Sequence, residues 1–372
     1  IFKTFERMLV FHKLIFVLSK NKQFSPKFVS VRCISCKIFT SMKLNWITKK
    51  LKLKETFSIS YGNYDFRDSL LIKLSYGNCN GFGECVSINY YGINLDEFIL
   101  KLKHVQSQIE RQKIVHPKEF YRFLSSLNLH SFLISALDCA YWDLFGKLEN
   151  KTFSEINELE TKRLPYSSYT ISIASIKEQI RKIENSNWRK FKVKCNSLDR
   201  KRIFELLDTG KEIALDSNTS FSDDDCNFLQ NNELTSRFSY LEQPRPIGEY
   251  QILNKNLHAN WMADEDCQNI SYLEKLRPHY AAINIKLMKC GGISPALELI
   301  SEAKKLNYQV MIGCMTESSV GISAGIAVAS LCNFADLDGA NLISNDFAKG
   351  SFVDSGKLIL SEKPGLGIEI IS

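Results

Sequence analysis

The chain has 372 residues, which is enough for two domains or for one barrel with a cap, because a domain takes about 150 residues. Its 44% apolar and 24% charged residues are typical of an ordinary globular protein and exclude a fibrous or largely disordered one. The net charge of +7 arises in residues 1–41, with eight of the 48 Lys/Arg and one of the 41 Asp/Glu residues, so the neutral remainder does not favour a nucleic-acid partner.

Residues 1–41 form a basic leader that precedes Met42, and Met42 resembles a natural translation start. The apolar run at residues 14–18 is too short to cross a membrane, so no membrane partner is expected. Three interpretations of the leader compete: translated upstream sequence, a poorly conforming secretory signal, or a basic organellar transit segment. We favour the first and leave the leader out of the fold prediction.

Eleven cysteines are scattered along the chain without the spacing of a disulfide framework. Cys33 and Cys36 form one isolated pair in the leader, with no second pair or His to complete a zinc site. Several other cysteines lie within apolar segments. Buried free thiols are typical of a reducing compartment, and the protein is therefore expected in the cytoplasm.

Residues 42–160 are predicted to form an α+β capping domain. Up to about residue 85 the pattern indicates short strands and turns, with a strand at residues 69–74 and a hairpin closed at residues 81–84. From about residue 96 to residue 146 apolar residues recur at helical spacing instead. The cap is thus expected to contain a small sheet followed by helices.

A different pattern occupies residues 161–345, where β-rich runs alternate with stretches of helix length. Eight runs favour parallel βα units, so the predicted fold class is α/β, a (β/α)7–8 TIM-like barrel with an N-terminal α+β cap. Residues 346–372 are predicted to return to the cap. The eight runs are residues 166–172, 191–194, 213–216, 238–242, 261–264, 282–287, 309–312 and 335–338.

Five charged residues stand at the carboxyl ends of successive predicted barrel strands. Their spacings are 22, 26, 22 and 22 residues, about the length of one βα unit, so the side chains should meet at the face where barrel enzymes keep their sites. A single Asp at a strand end is more often a helix cap than a ligand, but capping does not explain five charges at strand spacing. The five are Lys194, Asp216, Glu242, Asp264 and Lys286.

This set of residues has the chemistry of a magnesium-assisted proton transfer. Three carboxylates, on Asp216, Glu242 and Asp264, without His or Cys, favour a hard cation such as Mg²⁺. The cation would stabilise a developing enediolate while a lysine on each side, Lys194 or Lys286, exchanges a proton with a carbon acid. We expect the cation and the neighbouring ammonium groups to lower a lysine pKa toward the working range.

Five motifs make a family resemblance specific, and the resemblance extends from about residue 42 to the end of the chain. The motifs are Lys192-Val193-Lys194, LDSN around Asp216, YLEQP around Glu242, MADED around Asp264 and NIKLMKCGG around Lys286. In this order they resemble the muconate-lactonising subgroup of the enolase superfamily, and within it the dipeptide epimerases of the L-Ala-D/L-Glu type. The resemblance implies a capped barrel, bound Mg²⁺ and 1,1-proton transfer at the carbon α to a carboxylate.

The resemblance also implies a role for individual residues. Lys194 and Lys286 correspond to the opposed acid/base pair, and Lys192 tunes Lys194 or contacts the enolate. The three carboxylates named above correspond to the metal ligands. Glu265 follows Asp264 directly and is expected to support the ligands without binding the metal itself.

The eighth predicted strand carries Asp336-Leu337-Asp338, which resembles the D-x-D pair with which dipeptide epimerases hold the α-ammonium group of their substrate. Two carboxylates beside a cationic metal site call for a ligand cation between them. A turn after a strand would also explain Asp338-Gly339, but the position at the barrel mouth favours the functional interpretation. Thr316, within residues 313–318, is expected to line the path of the substrate.

Alanyl-glutamate epimerases typically carry an Arg in the mobile loop after the first strand, where it contacts the distal glutamate carboxylate. In this chain Tyr61 or Gly62 aligns there, and Arg67 lies a few residues further on. Tyr61 and Arg67 are therefore the predicted contacts to the second residue of the substrate. We expect a dipeptide of the type Ala-Xaa, with a small first residue and without a requirement for glutamate in second place.

Other functions share this machinery, namely N-acyl amino acid racemase, o-succinylbenzoate synthase and muconate cycloisomerase. Asp336 and Asp338 argue against them because their substrates carry no free ammonium group. The mandelate-racemase branch uses a His where this chain has Lys286, and a barrel that only binds ligands would have lost a metal ligand or a lysine. The expected partner is therefore a small-molecule dipeptide, and a homo-oligomer is left open.

Overall fold

The computed structural model describes residues 41–60 and 62–371. Residues 1–40 of the predicted leader and the predicted substrate contact Tyr61 lie outside the described residues. Among the residues that are described, no helix combines the length and the apolar character needed to cross a membrane.

The cap begins with an antiparallel sheet in the order β1 (Lys43–Ile59), β2 (Gly62–Tyr76) and β3 (Cys79–Val86). The prediction of short strands is wrong for the first two, which contain 17 and 15 residues. Their pairing shifts between Lys52 and Phe57, where a bulge takes up charged residues that interrupt the strand pattern in the sequence. Pairing resumes beyond the bulge, so β1 and β2 extend past the sheet as a two-stranded ribbon.

Helices of the cap pack against this sheet. A short 3-10 helix (Asn89–Tyr91) leads into α1, where the Asn94 side chain accepts hydrogen bonds from two backbone N–H groups of the first turn. Gly81 and Gly83 let the sheet approach the third helix closely, because a Cβ there would lie 2.1 and 2.0 Å from backbone oxygens of that helix. The cap helices are α1 (Leu95–Glu110), α2 (Pro117–Ser125), α3 (Ser131–Glu149) and α4 (Phe153–Ile156).

Eight parallel strands form the barrel, and each pairs with its neighbour in chain order. A parallel bridge between Ser167 and Ala335 joins the first strand to the last. All eight predicted runs contain a strand, which confirms the predicted barrel with its α+β cap. The strands are β4 (Tyr169–Ile171), β5 (Lys190–Lys194), β6 (Glu212–Asp216), β7 (Leu241–Glu242), β8 (Trp261–Ala263), β9 (Ala282–Lys286), β10 (Gln309–Gly313) and β11 (Phe334–Asp336).

The connections between the barrel strands are uneven. After β5 the chain forms only a 3-10 helix (Ile203–Thr209), and further 3-10 helices occur at Glu233–Arg237, Ile270–Tyr272, Ala329–Leu331 and Gly339–Leu342. A small apolar layer of Ala214, Tyr240, Met262, Ala282 and Met311 fills the barrel interior. The α-helices are α5 (Ile176–Glu184), α6 (Asp223–Gln230), α7 (Leu273–Leu276), α8 (Leu287–Cys290), α9 (Ile293–Lys305) and α10 (Ser319–Val328).

The last residues contact the third helix of the cap. The backbone N–H of Leu366 donates to Asp143 at 2.9 Å, and Lys147 donates to the backbone oxygen of Ile368 at 2.9 Å. Short antiparallel pairs join β12 (Ala348–Lys349) to β15 (Glu369–Ile370) and β13 (Phe352–Asp354) to β14 (Lys357–Ile359). The domain boundaries at residues 160/161 and 345/346 stay predictions.

Candidate active site

The parallel register places the predicted site residues at one level of the barrel. Lys194 pairs with Asp216, and Asp216 pairs with Glu242. On the other side, Gly313 pairs with both Lys286 and Asp336. Because these residues end their strands at the carboxyl face, their side chains are directed to the same mouth.

Buried lysines and carboxylates alternate around this mouth. The Lys194 ammonium lies 2.5 Å from Asp216 Oδ2 and 2.9 Å from Asn218 Oδ1. The Asp264 carboxylate lies between two lysines, with Oδ2 accepting from Lys286 at 2.7 Å and Oδ1 accepting from Lys289 at 2.5 Å. Asp216 and Asp264 are each therefore balanced by a directly contacting ammonium group.

Glu242 has a different environment from the other two carboxylates. Its Oε1 accepts a hydrogen bond of 2.7 Å from the Asn284 amide. Its Oε2 is buried and accepts no hydrogen bond, and the Lys192 ammonium lies 3.3 Å away. Burial, reinforced by the neighbouring Asp216 charge, raises the pKa of Glu242 to about 8. Glu242 is thus the carboxylate of the cluster that most lacks a cationic partner.

The donor set fits a hard divalent cation. It consists of carboxylate oxygens alone, the ligands that Mg²⁺ prefers, and it includes the unsatisfied Oε2 of Glu242. No three His, Cys, Asp or Glu side chains of the described residues are arranged as a finished metal site. The reason is visible in the ion pairs, since lysine ammonium groups engage Asp216 and Asp264.

The neighbouring carboxylates set the direction of the pKa shifts of Lys286 and Lys192. Burial lowers the pKa of Lys286, but the surrounding carboxylates, Asp264 foremost and then Glu242 and Glu265, together raise it above its usual value. Lys192 behaves in the same way through Asp336, Glu242 and Asp216, which hold its pKa well above the usual range. The lowering expected from the sequence requires a bound cation beside the lysines, and it stays a prediction.

The two aspartates of the D-x-D pair lie at the end of β11 and are both buried. Asp336 Oδ2 accepts from the Lys192 ammonium, while Oδ1 is buried without a hydrogen-bond partner. Asp338 accepts from the Thr170 backbone N–H at 2.6 Å and from the Thr170 hydroxyl at 3.3 Å. Burial and the nearby Asp336 raise the pKa of Asp338 to about 7. One acceptor position, on Asp336, is therefore left for another donor.

One cavity at the barrel mouth collects most of the predicted site. The predicted metal ligands Asp216, Glu242 and Asp264 are buried and do not line it. Asn218, which sequence analysis did not single out, also lines it and joins Lys194 to Glu265 by hydrogen bonds of 2.9 and 3.2 Å. The predicted residues in the lining are Arg67, Lys192, Lys194, Glu265, Lys286, Thr316, Asp336 and Asp338.

The cap supplies the other wall of this cavity, and most of that wall is apolar or aromatic. Phe57 and Ile59 come from the ribbon, and Ile88 and Tyr91 from the segment after β3. Sequence analysis missed these residues because nothing in the chain's periodicity shows that the ribbon extends over the barrel.

Arg67 lies in the same wall, where it is only 6% exposed. Its guanidinium donates to the Ser87 backbone oxygen at 3.1 Å and stands 4.3 Å from the centre of the Tyr64 ring. Burial lowers the pKa of Arg67, and Tyr64 partly opposes this effect. Contacts inside the cap therefore hold the guanidinium at the edge of the cavity.

Comparison with known proteins gives consistent matches. The family described as Enolase C-terminal domain-like matches residues 175–371. An L-Ala-D/L-amino acid epimerase from a Maribacter species is 36% identical over 328 residues, which are 86% of this chain and 97% of that protein. A second protein of that name, from Flavobacterium johnsoniae, is 33% identical over 338 residues, 89% of this chain and all of the relative.

Solved structures agree with these relatives. A dipeptide epimerase from Methylococcus capsulatus, solved with Mg and the dipeptide L-Arg-D-Lys, superposes with a TM-score of 0.79 at 26% identity, covering 88% of this chain and 99% of that one. Fold and site together define a capped barrel enzyme with carboxylates and lysines at its mouth. The chain belongs to the enolase superfamily. The family resemblance drawn from the motifs is thereby confirmed.

Proposed function

We propose that the protein is an isomerase, a magnesium-dependent dipeptide epimerase that acts by 1,1-proton transfer at the carbon α to the substrate carboxylate. The observation that carries this proposal is the placement of Lys194 and Lys286 at two sides of one carboxylate cluster. Lys194 contacts Asp216 at 2.5 Å, and Lys286 contacts Asp264 at 2.7 Å. The epimerase relatives, which this chain matches along almost their whole length, support the same reaction.

Asp216, Glu242 and Asp264 would hold the Mg²⁺ ion, which supplies a positive charge for the substrate carboxylate and its enediolate form. The lysines perform the proton transfers. One lysine removes the α-proton from its face of the carbon, and the other returns a proton from the opposite face, which inverts the centre. Lys192, buried at the centre of the carboxylates, contributes a further positive charge toward the enediolate oxygens.

The substrate would be oriented by its ammonium group at the D-x-D pair. Asp336 offers the unpaired Oδ1, and the two hydrogen bonds from Thr170 fix the orientation of the Asp338 carboxylate next to it. Charge-assisted hydrogen bonds of this kind are among the stronger polar contacts. Glu265, joined to Lys194 through Asn218, supports the geometry of that lysine.

The first residue of the dipeptide is then directed to the barrel and the second to the cap. The cap wall is formed by the ribbon and by Tyr91, with Arg67 at its edge. Thr316 lines the barrel side of the same cavity. A mainly apolar wall supports a substrate of the type Ala-Xaa in which the second residue is not restricted to glutamate. Tyr61, at the tip of the ribbon, stays a predicted contact.

We also propose a cytoplasmic location, supported by cysteines that are all free among the described residues. A homo-oligomer stays a prediction that light scattering on the purified protein would test.

To test the function, a library of Ala-Xaa dipeptides is incubated with the protein in deuterated water, and exchange of the α-proton is measured by NMR. Exchange that depends on Mg²⁺ and yields both epimers is the expected result. Absence of exchange across the whole library, with Mg²⁺ bound to the protein, would contradict the proposal.

A further inference from the structure

We propose that Lys289 is a positioning residue for the metal site, a role that rests on the proposed metal-dependent function. Lys289 follows Lys286 by three residues and lies on α8, the four-residue helix directly after β9. Only 1% of its side chain is exposed, and it does not line the cavity. It therefore has no access to the substrate, and any effect it has on the reaction must pass through its neighbours.

The contacts of Lys289 join strand β9 to the segment that follows β8. Its ammonium donates to Asp264 Oδ1 and to the Asp264 backbone oxygen, each at 2.5 Å. It also donates to the backbone oxygens of Cys267 at 3.1 Å and Asn284 at 3.0 Å. The residue thus holds both the backbone and the side chain of Asp264, next to the loop that follows β8.

These contacts divide the two oxygens of the Asp264 carboxylate between two lysines. Oδ1 is committed to the buried Lys289, whereas Oδ2 contacts Lys286, which lines the cavity. Lys289 therefore determines which oxygen of Asp264 is presented to the site. Through the Asn284 backbone it also steadies the residue whose amide donates to Glu242 at 2.7 Å. Two of the three metal-binding carboxylates consequently depend on one buried ammonium group.

If Lys289 acted on the metal site only through its charge, its effect on metal affinity would be the reverse of the effect expected from orienting Asp264. An ammonium group close to the metal repels it, so if Lys289 acted only by its charge, its removal would tighten Mg²⁺ binding. If it acts by orienting Asp264, its removal weakens binding, as loss of the groups that orient metal ligands does, by about 10- to 100-fold. The contacts to three backbone oxygens favour orientation, because a counter-charge alone does not need them.

The deciding experiment is a calorimetric Mg²⁺ titration of the wild type, Lys289→Gln and Lys289→Met. Glutamine keeps two N–H donors but loses the charge, and methionine loses both. If Lys289 orients Asp264, the wild type should bind Mg²⁺ most tightly and Lys289→Gln should bind it with intermediate affinity. Lys289→Met should bind it most weakly, with an affinity about 10- to 100-fold below that of the wild type. Lys304→Gln, on the exposed side of α9, is the matched control and should bind like the wild type.

Thermal melts without Mg²⁺ show which variants fold. If Lys289→Met does not fold, Lys289→Gln, which keeps N–H donors at this position, decides, and it must lose at least about threefold in affinity for the proposal to stand. Wild-type or tighter Mg²⁺ binding in the folded variants would overturn the positioning role and leave charge balance as the explanation. A wild-type protein that binds no Mg²⁺ would instead contradict the proposed function.

Discussion

Lys192 on β5 and Asp336 on β11 form a buried ion pair across the intervening strand β4. The sequence assigns these residues to opposite ends of the substrate, Lys192 to the enolate and Asp336 to the ammonium group. In the structure they are each other's partners, with Asp336 Oδ1 unpaired. Asp336 Oδ1 therefore offers a buried acceptor to an arriving ammonium group, beside the Lys192 charge.

This relationship leads to a prediction about N-acetylated substrates. Acetylation removes the ammonium charge and leaves Asp336 Oδ1 buried without its ligand donor, which costs about 1–3 kcal/mol. We expect kcat/KM for N-acetyl-Ala-Xaa to be roughly 10- to 100-fold below that for Ala-Xaa. The same comparison in Asp338→Asn should show a smaller difference. Equal values for free and acetylated substrates would indicate an N-acyl amino acid racemase.

The metal dependence can be tested by chelation. EDTA should abolish epimerisation and added Mg²⁺ should restore it, because the enediolate charge has no other divalent partner at the carboxylate cluster. The double variant Asp216→Asn, Glu242→Gln should bind Mg²⁺ weakly in calorimetry and stay inactive at any Mg²⁺ concentration. Full turnover by that variant would exclude the assignment of these ligands.

The two lysines should affect the two substrate epimers differently. Replacement of Lys194 or Lys286 by Ala should lower net epimerisation by at least about 10²- to 10⁴-fold, since each removes a general acid/base. One epimer should still exchange its α-proton in deuterated water with the remaining lysine. Lys190→Ala, at the start of the same strand as Lys194, is the control and should keep wild-type activity. Near-normal epimerisation by both single variants would rule out the two-base mechanism.

Arg67 should have little influence on substrate choice. Its guanidinium is already held by the Ser87 backbone oxygen and the Tyr64 ring, so it is not poised for a distal carboxylate. We expect Ala-Leu and Ala-Glu to have kcat/KM values within about tenfold of each other, a difference of 1.4 kcal/mol. Arg67→Met should change both similarly. A strong preference for Ala-Glu that disappears in Arg67→Met would show that Arg67 binds the glutamate side chain.

Asp138 gives a prediction about stability and pH. Burial raises the pKa of this carboxyl, on α3, to about 7, well above the value of about 3.9 in an unfolded chain. Between these values the folded state binds the extra proton, so the contribution of Asp138 to stability falls as pH rises from about 4 to 7. Asp138→Asn should flatten this decline in melting temperature, whereas Asp208→Asn, at an exposed position, should not. An unchanged pH profile in Asp138→Asn would contradict the raised pKa.

The regular features of the barrel could be predicted from the sequence because each leaves a local pattern. The interval of 22 residues between Lys194 and Asp216 corresponds to one strand-to-strand repeat of the barrel, and parallel register does bring the two side chains together. The order of the motifs was enough to identify the superfamily. These features involve residues that are close together in the chain or one repeat length apart, so the periodicity of the sequence predicts them directly.

Other contacts of the site join segments that are far apart in the chain, and no residue spacing in the sequence predicts these contacts. In the sequence, Lys289 resembles a surface residue on a short helix. In the structure, the turn after β9 places its ammonium group against Asp264. Thr170 carries no motif, yet it fixes Asp338 from the other side of the barrel closure. The same holds for the carboxylate that each buried lysine contacts, such as Asp336 for Lys192.

The ribbon of β1 and β2 contacts the barrel near its tip, in addition to the contacts that Glu55 and Lys54 make closer to the sheet. Near its tip the Ser60 hydroxyl donates to the Ser217 backbone oxygen at 2.8 Å, and Ile173 donates to the Ser58 backbone oxygen at 3.1 Å. Backbone oxygens accept both hydrogen bonds, and of the two only the first depends on a side chain of the ribbon, that of Ser60. The side chains of Phe57 and Ile59, which line the cavity, could therefore change while the predicted proton-transfer residues Lys194 and Lys286 stay in place on their barrel strands. New substrate ranges are accordingly open to this enzyme through substitutions in a single hairpin, by natural drift or by design.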